Sequence, residues 1–349
     1  MINDFEFKKT VTIGVVALNE EQYLKQLFAD FKAQTYPHKY IDIILVDSGS
    51  ADTTLQIMEN LRSNNDFNKV MILKNKKKIQ SAGWNIIINN VETFALSRID
   101  AHAKLPNDFI YKNMENIKNG ENISGGIRPN LIINENNWTK TLLEAENSMF
   151  GSSINISRRS EKKQYVKTMF HATYRMSIFK KVGLFNETLG RTEDNELHYR
   201  MRREGYKFLF DPEIVSYQYA RSSLKKMLYQ KYSNGYWIGL TLCVCPQCLS
   251  SFYFVPFAFS ISVIASVILL LFTNIPFVIL FSCYFLVACL MTIFTIKQNG
   301  FRPSSLLLPL LFFLLHFSYG IGTIVGIASI PIKKETLCMN EKKYEGVLK

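Results

Sequence analysis

A chain of 349 residues has room for one large domain and something beside it. With 48% apolar residues and a mean hydropathy close to zero, it reads as a water-soluble body joined to a greasy segment, which excludes one uniform globule. The net charge of +12 suits anionic lipid or a phosphate-bearing substrate; no zinc finger, helix-turn-helix or aromatic RNA-binding signature accompanies it, which argues against nucleic acid as a partner.

The N-terminus, MINDFEFKKTVTIGVV, has charge before a short apolar strand but neither a long apolar core nor a small-residue cleavage site, so the soluble part is expected in the cytoplasm. Residues 11–17 are β-rich and almost wholly apolar, as a parallel strand buried on both faces should be. Asn19, Glu20 and Glu21 then start an amphipathic helix with Tyr23, Leu24, Leu27, Phe28 and Phe31 on one face. Residues 41–46 repeat the plan, with a polar turn at 47–50 and a second helix opened by Asp52. Strand, polar turn and helix in succession predict a parallel α/β sheet.

Ligands of such sheets bind outside the carboxyl ends of the strands, where Asn19, Glu20, Asp47 and Ser48 fall. Acceptors at that edge suit a base and a ribose, although Asp47 and Asp52 also suit plain turn and helix capping. Neither G-x-G-x-x-G nor G-x-x-x-x-G-K-[ST] is present, so no dinucleotide fingerprint or P-loop is expected. TFALSRID reads as the third strand, and Asp100 again lies at its carboxyl end. Basic clusters occur at 76–78, 158–163 and 225–231.

The set VVALNEE, ILVDSGSADTT, SRIDAH and RTEDNELHYRMRREGYK resembles the inverting family-2 glycosyltransferases, in particular the succinoglycan/exopolysaccharide glucosyltransferase subgroup. The resemblance spans about residues 10–235. It implies an α/β GT-A fold, a Rossmann-like nucleotide-diphospho-sugar transferase domain, to which the apolar stretches near the C-terminus add transmembrane helices. It further implies that Asn19, Glu20, Asp47 and Ser48 meet the nucleotide and that Gln80, Gly83 and Asn85 of IQSAGWN close over the nucleoside. Asp100 and His102 match the metal motif, which reads D-A-H here in place of the commoner D-x-D.

A sugar nucleotide carries a diphosphate whose charge grows as the sugar bond breaks, and a divalent cation, Mg2+ or Mn2+, stabilises it. Asp100 offers oxygen and His102 nitrogen, and both would face the cation if the extended conformation continued through Ala101. A surface histidine beside a capping aspartate is the plainer reading. In RTEDNELHYRMRREGYK, Glu193 and Asp194 open a helix that Gly205 ends. Out of context such acids are helix caps; the resemblance makes Asp194 the base that deprotonates the acceptor hydroxyl and Glu193 the residue that orients Asp194 or the acceptor.

Gly125 and Gly126 allow a close approach or a tight bend. His171 and Arg175 are candidate contacts to the donor sugar or acceptor, with a backbone-satisfied buried histidine equally open. Residues 216–237 are amphipathic and basic, and Gln230 is followed by Lys231 and Tyr232, so the Q-x-x-R-W of processive synthases is missing. Arg221, Lys225 and Lys231 suit either an acceptor diphosphate or lipid headgroups.

Six cysteines include C-V-C-P-Q-C at 243–248, which looks like half a metal site with no second pair at a useful spacing. A reduced compartment fits them best. The apolar stretches 252–272, 275–296 and 306–330 each reach the roughly 20 residues that cross about 30 Å of hydrocarbon. Three spans would place the lysine-rich tail outside, against the positive-inside trend; an alternative makes the first stretch re-entrant or interfacial.

The expected organisation is a GT-A domain at 1–235, a juxtamembrane linker at 236–250, two to three membrane helices within 251–332 and a basic tail at 333–349. The expected activity is transfer of one sugar from a nucleotide-sugar, UDP-hexose by preference, to a polyprenyl-diphosphate-linked saccharide. The setting would be the inner face of a bacterial plasma membrane, in exopolysaccharide or capsule synthesis beside other assembly enzymes. A non-catalytic nucleotide-sugar-binding or scaffold protein is the alternative. A nucleotidyltransferase lacks its glycine- and arginine-rich phosphate loop.

Overall fold

The computed structural model describes residues 10–151 and 161–338. Two compact units are formed, and the division is not a simple cut: the first holds residues up to 129 and those from 161 to 219, the second 130–151 and 220–338. Arg158 and Arg159 of one basic cluster, and the tail from 339 onward, lie outside the described residues.

In the first unit β1 (Val11–Ala17) leads to α1 (Glu21–Lys32), β2 (Ile41–Asp47), α2 (Thr54–Ser63), β3 (Lys69–Lys74), α3 (Gln80–Asn90), β4 (Ala95–Asp100), β5 (Ala103–Lys104), α4 (Phe109–Lys118) and β6 (Ile123–Ile127). The second unit then takes β7 (Asn130–Leu131) and α5 (Asn137–Asn147). The chain returns to the first unit with β8 (Gln164–Val166), β9 (Ala172–Arg175), α6 (Met176–Val182), α7 (Glu193–Arg203), β10 (Phe208–Val215) and β11 (Tyr217–Tyr219).

Eight strands form one sheet in the order β3-β2-β1-β4-β9-β6-β10-β8. The four strands β3, β2, β1 and β4 are parallel, as the alternating strand and helix pattern requires. β9 runs antiparallel to both β4 and β6, so the sheet is mixed where a parallel one was expected. β4 is the fourth strand, not the third. β3 escaped the sequence reading because it is a half-buried edge strand flanked by lysines, which dilute its apolar signal.

Alternate residues of the central strands enter two cores. Val11, Ile13, Val15, Ile41, Ile43 and Leu45 pack with Leu24, Leu27, Phe28 and Phe31 of α1 and with Phe109 and Ile110 of α4. Ile44, Val46 and Leu96 pack on the other face with Trp84 of α3 and Leu197 and Met201 of α7. Burial on both faces is why β1 and β2 read as unbroken apolar runs.

In the second unit α8 (Leu224–Thr241), α9 (Val255–Leu269), α10 (Ile275–Asn299), α11 (Leu308–Ala328) and α12 (Ile330–Cys338) follow. Three segments, Ser251–Leu269, Ile275–Asn299 and Pro303–Ala328, are long and apolar enough to cross a membrane. α8 lies directly on α11: a Cβ at Gly322 would come 2.1 Å from Tyr232 O, and one at Gly326 2.2 Å from Tyr236 O. Small residues four apart let helix backbones meet in this way in a lipid setting. α8 is continuous across the boundary expected at 235/236. Lys231 of α8 stands 3.6 Å from Glu146 of α5, and Arg302 bonds Glu144 of the same helix.

Candidate active site

The carboxyl ends of β2, β1 and β4 lie side by side, with Ala17 opposite Asp47 and Val16 opposite Asp100. Two turns meet there and are laced together. Asn19 sits at φ +55°, a left-handed conformation that asparagine tolerates better than most residues. Its N–H donates to Ser50 Oγ (3.0 Å) and its Oδ1 accepts from the Ala51 N–H (2.8 Å). The Glu20 N–H donates to Thr54 Oγ1 (2.8 Å). Asp52 Oδ2 accepts from the Glu21 N–H (3.2 Å), while Glu21 Oε2 accepts from both the N–H and the hydroxyl of Thr53 (2.9 and 2.7 Å). The first strand end is thus fixed by the second.

Asp47 is buried and shapes its own turn, accepting from the Gly49 N–H at Oδ2 and the Ser50 N–H at Oδ1, each at 3.1 Å. Ser48 Oγ accepts from Asn75 Nδ2 (3.0 Å). Of the three residues expected over the nucleoside, only Gln80, the first residue of α3, is exposed. A Cβ on Gly83 would meet Val16 Cγ1 at 2.6 Å, so this glycine lets α3 lie on β1. Asn85 is buried with its amide clamped on another segment: it donates to Phe185 O and Glu187 Oε1 (3.0 Å each) and accepts from the Phe185 N–H (2.8 Å). Gly126 likewise makes room for protein, since its Cβ would strike Asp211 O and Ile214 O where β10 bulges against β6.

The D-A-H segment does not continue as a strand. β4 stops at Asp100, and Ala101 and His102 turn before β5 leaves to pair with β11, Ala103 opposite Gln218. The alternation argument that would aim both side chains the same way therefore does not apply. His102 Nε2 is 2.9 Å from Gln218 Nε2, and its Nδ1 is 3.3 Å from Glu20 Oε1. Asp100 Oδ2 stands 3.2 Å from Nε2 of the buried His171, off the straight line of an ideal hydrogen bond, and His171 Nδ1 is 2.9 Å from Ser216 Oγ. Burial pushes the Asp100 carboxyl up, but His171, His102 and Arg98 together hold it well below the usual carboxylate range. Burial pushes His171 down despite Asp100.

The acid pair opens α7 with Thr192 as N-cap. Glu193 is 3% exposed, and its Oε1 is 3.9 Å from Arg98 Nη2. Arg98 lies over the rings of Trp84 (5.0 Å) and Phe185 (5.3 Å). Burial and the Asp194 charge push Glu193 up to about 7, with Arg98 opposing. Burial also raises Asp194, against the pull of Arg98 and of its bond from the Asn195 N–H (2.9 Å). Arg98 itself stays charged: burial opposes its charge, and Asp194 and Asp100 overcome that.

Ser216 and Gln218 were missed in the sequence, and Arg98, visible there in one polar cluster with Asp100 and His102, was given no role. A role was within reach, since Arg98 precedes Asp100 by two on the same strand and so shares its face. Ser216 and Gln218 have no local signal. Arg175 donates to Ile117 O and stacks on Phe94, a structural clasp. Among the described residues no three His, Cys, Asp or Glu side chains gather as a metal-holding group, at 243–248 or elsewhere.

An α/β mixed sheet with acids at the carboxyl ends of neighbouring parallel strands, and an acid pair at a helix start in the same charge cluster, is the plan of a GT-A nucleotide-diphospho-sugar transferase. Residues 12–183 match the model of glycosyl transferase family 2; this stretch is a family-2 domain, and the chain is a glycosyltransferase. It is 26% identical over 321 residues to the dolichyl N-acetyl-α-D-glucosaminyl phosphate 3-β-D-2,3-diacetamido-2,3-dideoxy-β-D-glucuronosyltransferase of Methanococcus voltae, covering 89% of this chain and 95% of that one. The succinoglycan biosynthesis protein ExoA of Rhizobium meliloti is 26% identical over 225 residues, 64% of this chain and 67% of that protein. Among solved structures, the mannosyltransferase PcManGT of Pyrobaculum calidifontis, in complex with GDP-Man and Mn2+, shares the fold with a TM-score of 0.55 at 13% identity, covering 91% of this chain and 86% of that one.

Proposed function

We propose that this membrane-anchored glycosyltransferase moves a single sugar, with inversion, from a nucleotide-sugar to a hydroxyl of a lipid-linked saccharide. A UDP-hexose is the preferred donor and a polyprenyl-diphosphate-linked saccharide the acceptor. The setting is the cytoplasmic face of a bacterial cell membrane, in surface polysaccharide or capsule assembly. The observation that carries the reading is Arg98, buried and charged, whose field is shared by Asp100 and by the Glu193–Asp194 pair. The Methanococcus relative, named for a dolichyl-phosphate-linked sugar, supports a lipid-linked acceptor, and ExoA, named for succinoglycan biosynthesis, supports the polysaccharide setting.

Asn19, Glu20, Asp47 and Ser48 bound the nucleotide edge, and Gln80 is the exposed residue of α3 available to it. Asp100 and His102 are the residues that would hold a divalent cation: Asp100 is held ionised in a buried site, and His102 brings an imidazole whose nitrogens face Glu20 and Gln218. Bound there with the diphosphate, Mg2+ or Mn2+ would neutralise the charge that develops on the leaving group. Asp194 takes the proton of the acceptor hydroxyl, whose oxygen attacks the anomeric carbon from the side opposite the leaving diphosphate. Burial raises its basicity toward the working pH, and Arg98 and the helix start keep it ionised. Glu193, 3.9 Å from Arg98 at the start of α7, orients Asp194 or the acceptor.

The test is release of nucleotide from a panel of UDP-sugars by detergent-purified protein with Mg2+, Mn2+ or EDTA. Metal-dependent release should fall by about 100-fold or more in Asp194→Asn with donor binding kept. Asp194→Asn at wild-type rate would overturn the assignment of the base.

A further inference from the structure

We infer that His171, steadied by Ser216, is a positioning residue that fixes the Asp100 carboxylate for the cation and diphosphate. This rests on the reading of Asp100 as the metal carboxylate. The residues are brought together from three elements: Asp100 ends β4, His171 immediately precedes β9, and Ser216 lies between β10 and β11. β9 pairs directly with β4, Arg98 opposite Ala172, so His171 sits just past the register that sets Asp100.

The ring is 3% exposed and Ser216 2%, so neither is placed to meet bulk solvent or a large ligand. A carboxylate only accepts hydrogen bonds, whereas a hydroxyl can donate. The Nε2 at 3.2 Å from Asp100 Oδ2 therefore carries the ring proton, and Nδ1 accepts from Ser216 Oγ at 2.9 Å. One carboxylate oxygen faces the ring at 3.2 Å, off the ideal line, and the other is the one that a cation would take. The arrangement differs from that of His102, whose two nitrogens face Glu20 and Gln218. Outer partners of this kind fix the orientation of a ligating group, and their loss typically costs 10–100-fold in metal affinity or activity.

The test measures the affinity of the detergent-purified full chain for UDP, and for GDP, by calorimetry with Mn2+ and with EDTA. The ratio of the two affinities reads the cation's contribution without turnover. His171→Ala should reduce that ratio by about 10-fold or more with the EDTA affinity unchanged, and His171→Gln, which returns an N–H near the Nε2 position, should restore much of it. Ser216→Ala should move the ratio the same way by less. A folded His171→Ala with the wild-type ratio overturns the inference; so does an unchanged Ser216→Ala where His171→Ala fails to fold. Asp100→Asn separates the two readings: if it leaves the ratio unchanged, the metal assignment of Asp100 itself falls. If it abolishes the ratio while His171→Ala does not, only the role of His171 falls.

Discussion

Arg98 Nη2 lies 3.9 Å from Glu193 Oε1, with both side chains buried, and this pair joins the strand that carries Asp100 to the helix that carries Asp194. The separation is long for a salt bridge, and Arg98 Nη1 and Glu193 Oε2 make no hydrogen bond. The two sides are unequal: without Arg98 the buried carboxylates lose the cation they share, whereas without Glu193 the arginine still has Asp194 and Asp100.

Arg98→Met should therefore destabilise the first unit by about 3 kcal/mol and lower turnover by at least 10-fold, because Asp194 loses the cation that keeps it ionised. Arg98→Met combined with Glu193→Gln should recover much of the stability and none of the turnover. Thermal unfolding and nucleotide release on the three proteins decide it; a double variant as unstable as the single one would contradict the pairing.

Glu193 also sets a pH dependence. Its carboxyl, raised to about 7 from an ordinary value of 4.5, holds a proton in the folded chain that the unfolded chain has released. The folded state then binds more protons between about pH 4.5 and 7, so this group's stabilisation is full below 4.5 and is lost as pH rises through 7. Glu193→Gln should remove that slope, on the order of 3 kcal/mol across the window, and leave the protein more stable than wild type above pH 7. Melting temperature against pH for the two proteins reads it directly. Parallel curves would mean that Glu193 is ionised throughout.

Asn85 separates a nucleoside contact from a brace. Asn85→Ala strips the Phe185 N–H and carbonyl of their partners, an expected loss of about 2–3 kcal/mol in unfolding free energy. UDP affinity should stay within about threefold of wild type. A large loss of UDP affinity at unchanged stability would restore the nucleoside role.

The packing of α8 on α11 is equally open to a single change. Gly326→Leu forces a side chain into Tyr236 O and should destabilise the helix pair by about 1–3 kcal/mol, seen as faster proteolysis within 224–241 in detergent. Gly300→Leu, where the Cβ direction is open, controls for bulk; the positive φ there adds strain but no clash. Equal proteolysis of the two would remove the packing argument.

The parts of this molecule legible in its sequence are those governed by local rules. β1 and β2 declare themselves by unbroken apolar runs, α1 by its face of Leu24, Leu27, Phe28 and Phe31, and α7 by the acids that open it and Gly205, at φ +83°, after it. The alignment of Asn19, Asp47 and Asp100 at one edge follows from strand ends alone. Hidden were features decided by distant chain: the reversed β9, the turn at Ala101 and His102 forced by pairing with β11, and the burial of Gly83 and Asn85 against other elements. A motif names residue types in order, whereas which way His102 faces is decided by Gln218, 116 residues later.

That separation bears on the order in which the enzyme is assembled. The stretch 12–183 contains the laced turns of Asn19 to Thr54 but neither Ser216 nor Gln218. A chain emerging from the ribosome can therefore finish the nucleotide edge early, while Asp100 and His102 wait for residues 216–219 before their orientation is set. Closing so long a loop delays this step further, since the chain entropy is lost before the distant side chains meet. If the proposed roles of these residues hold, the transferase acquires its grip on the base before its grip on the diphosphate, and a chain arrested between those points binds nucleotide without being an enzyme.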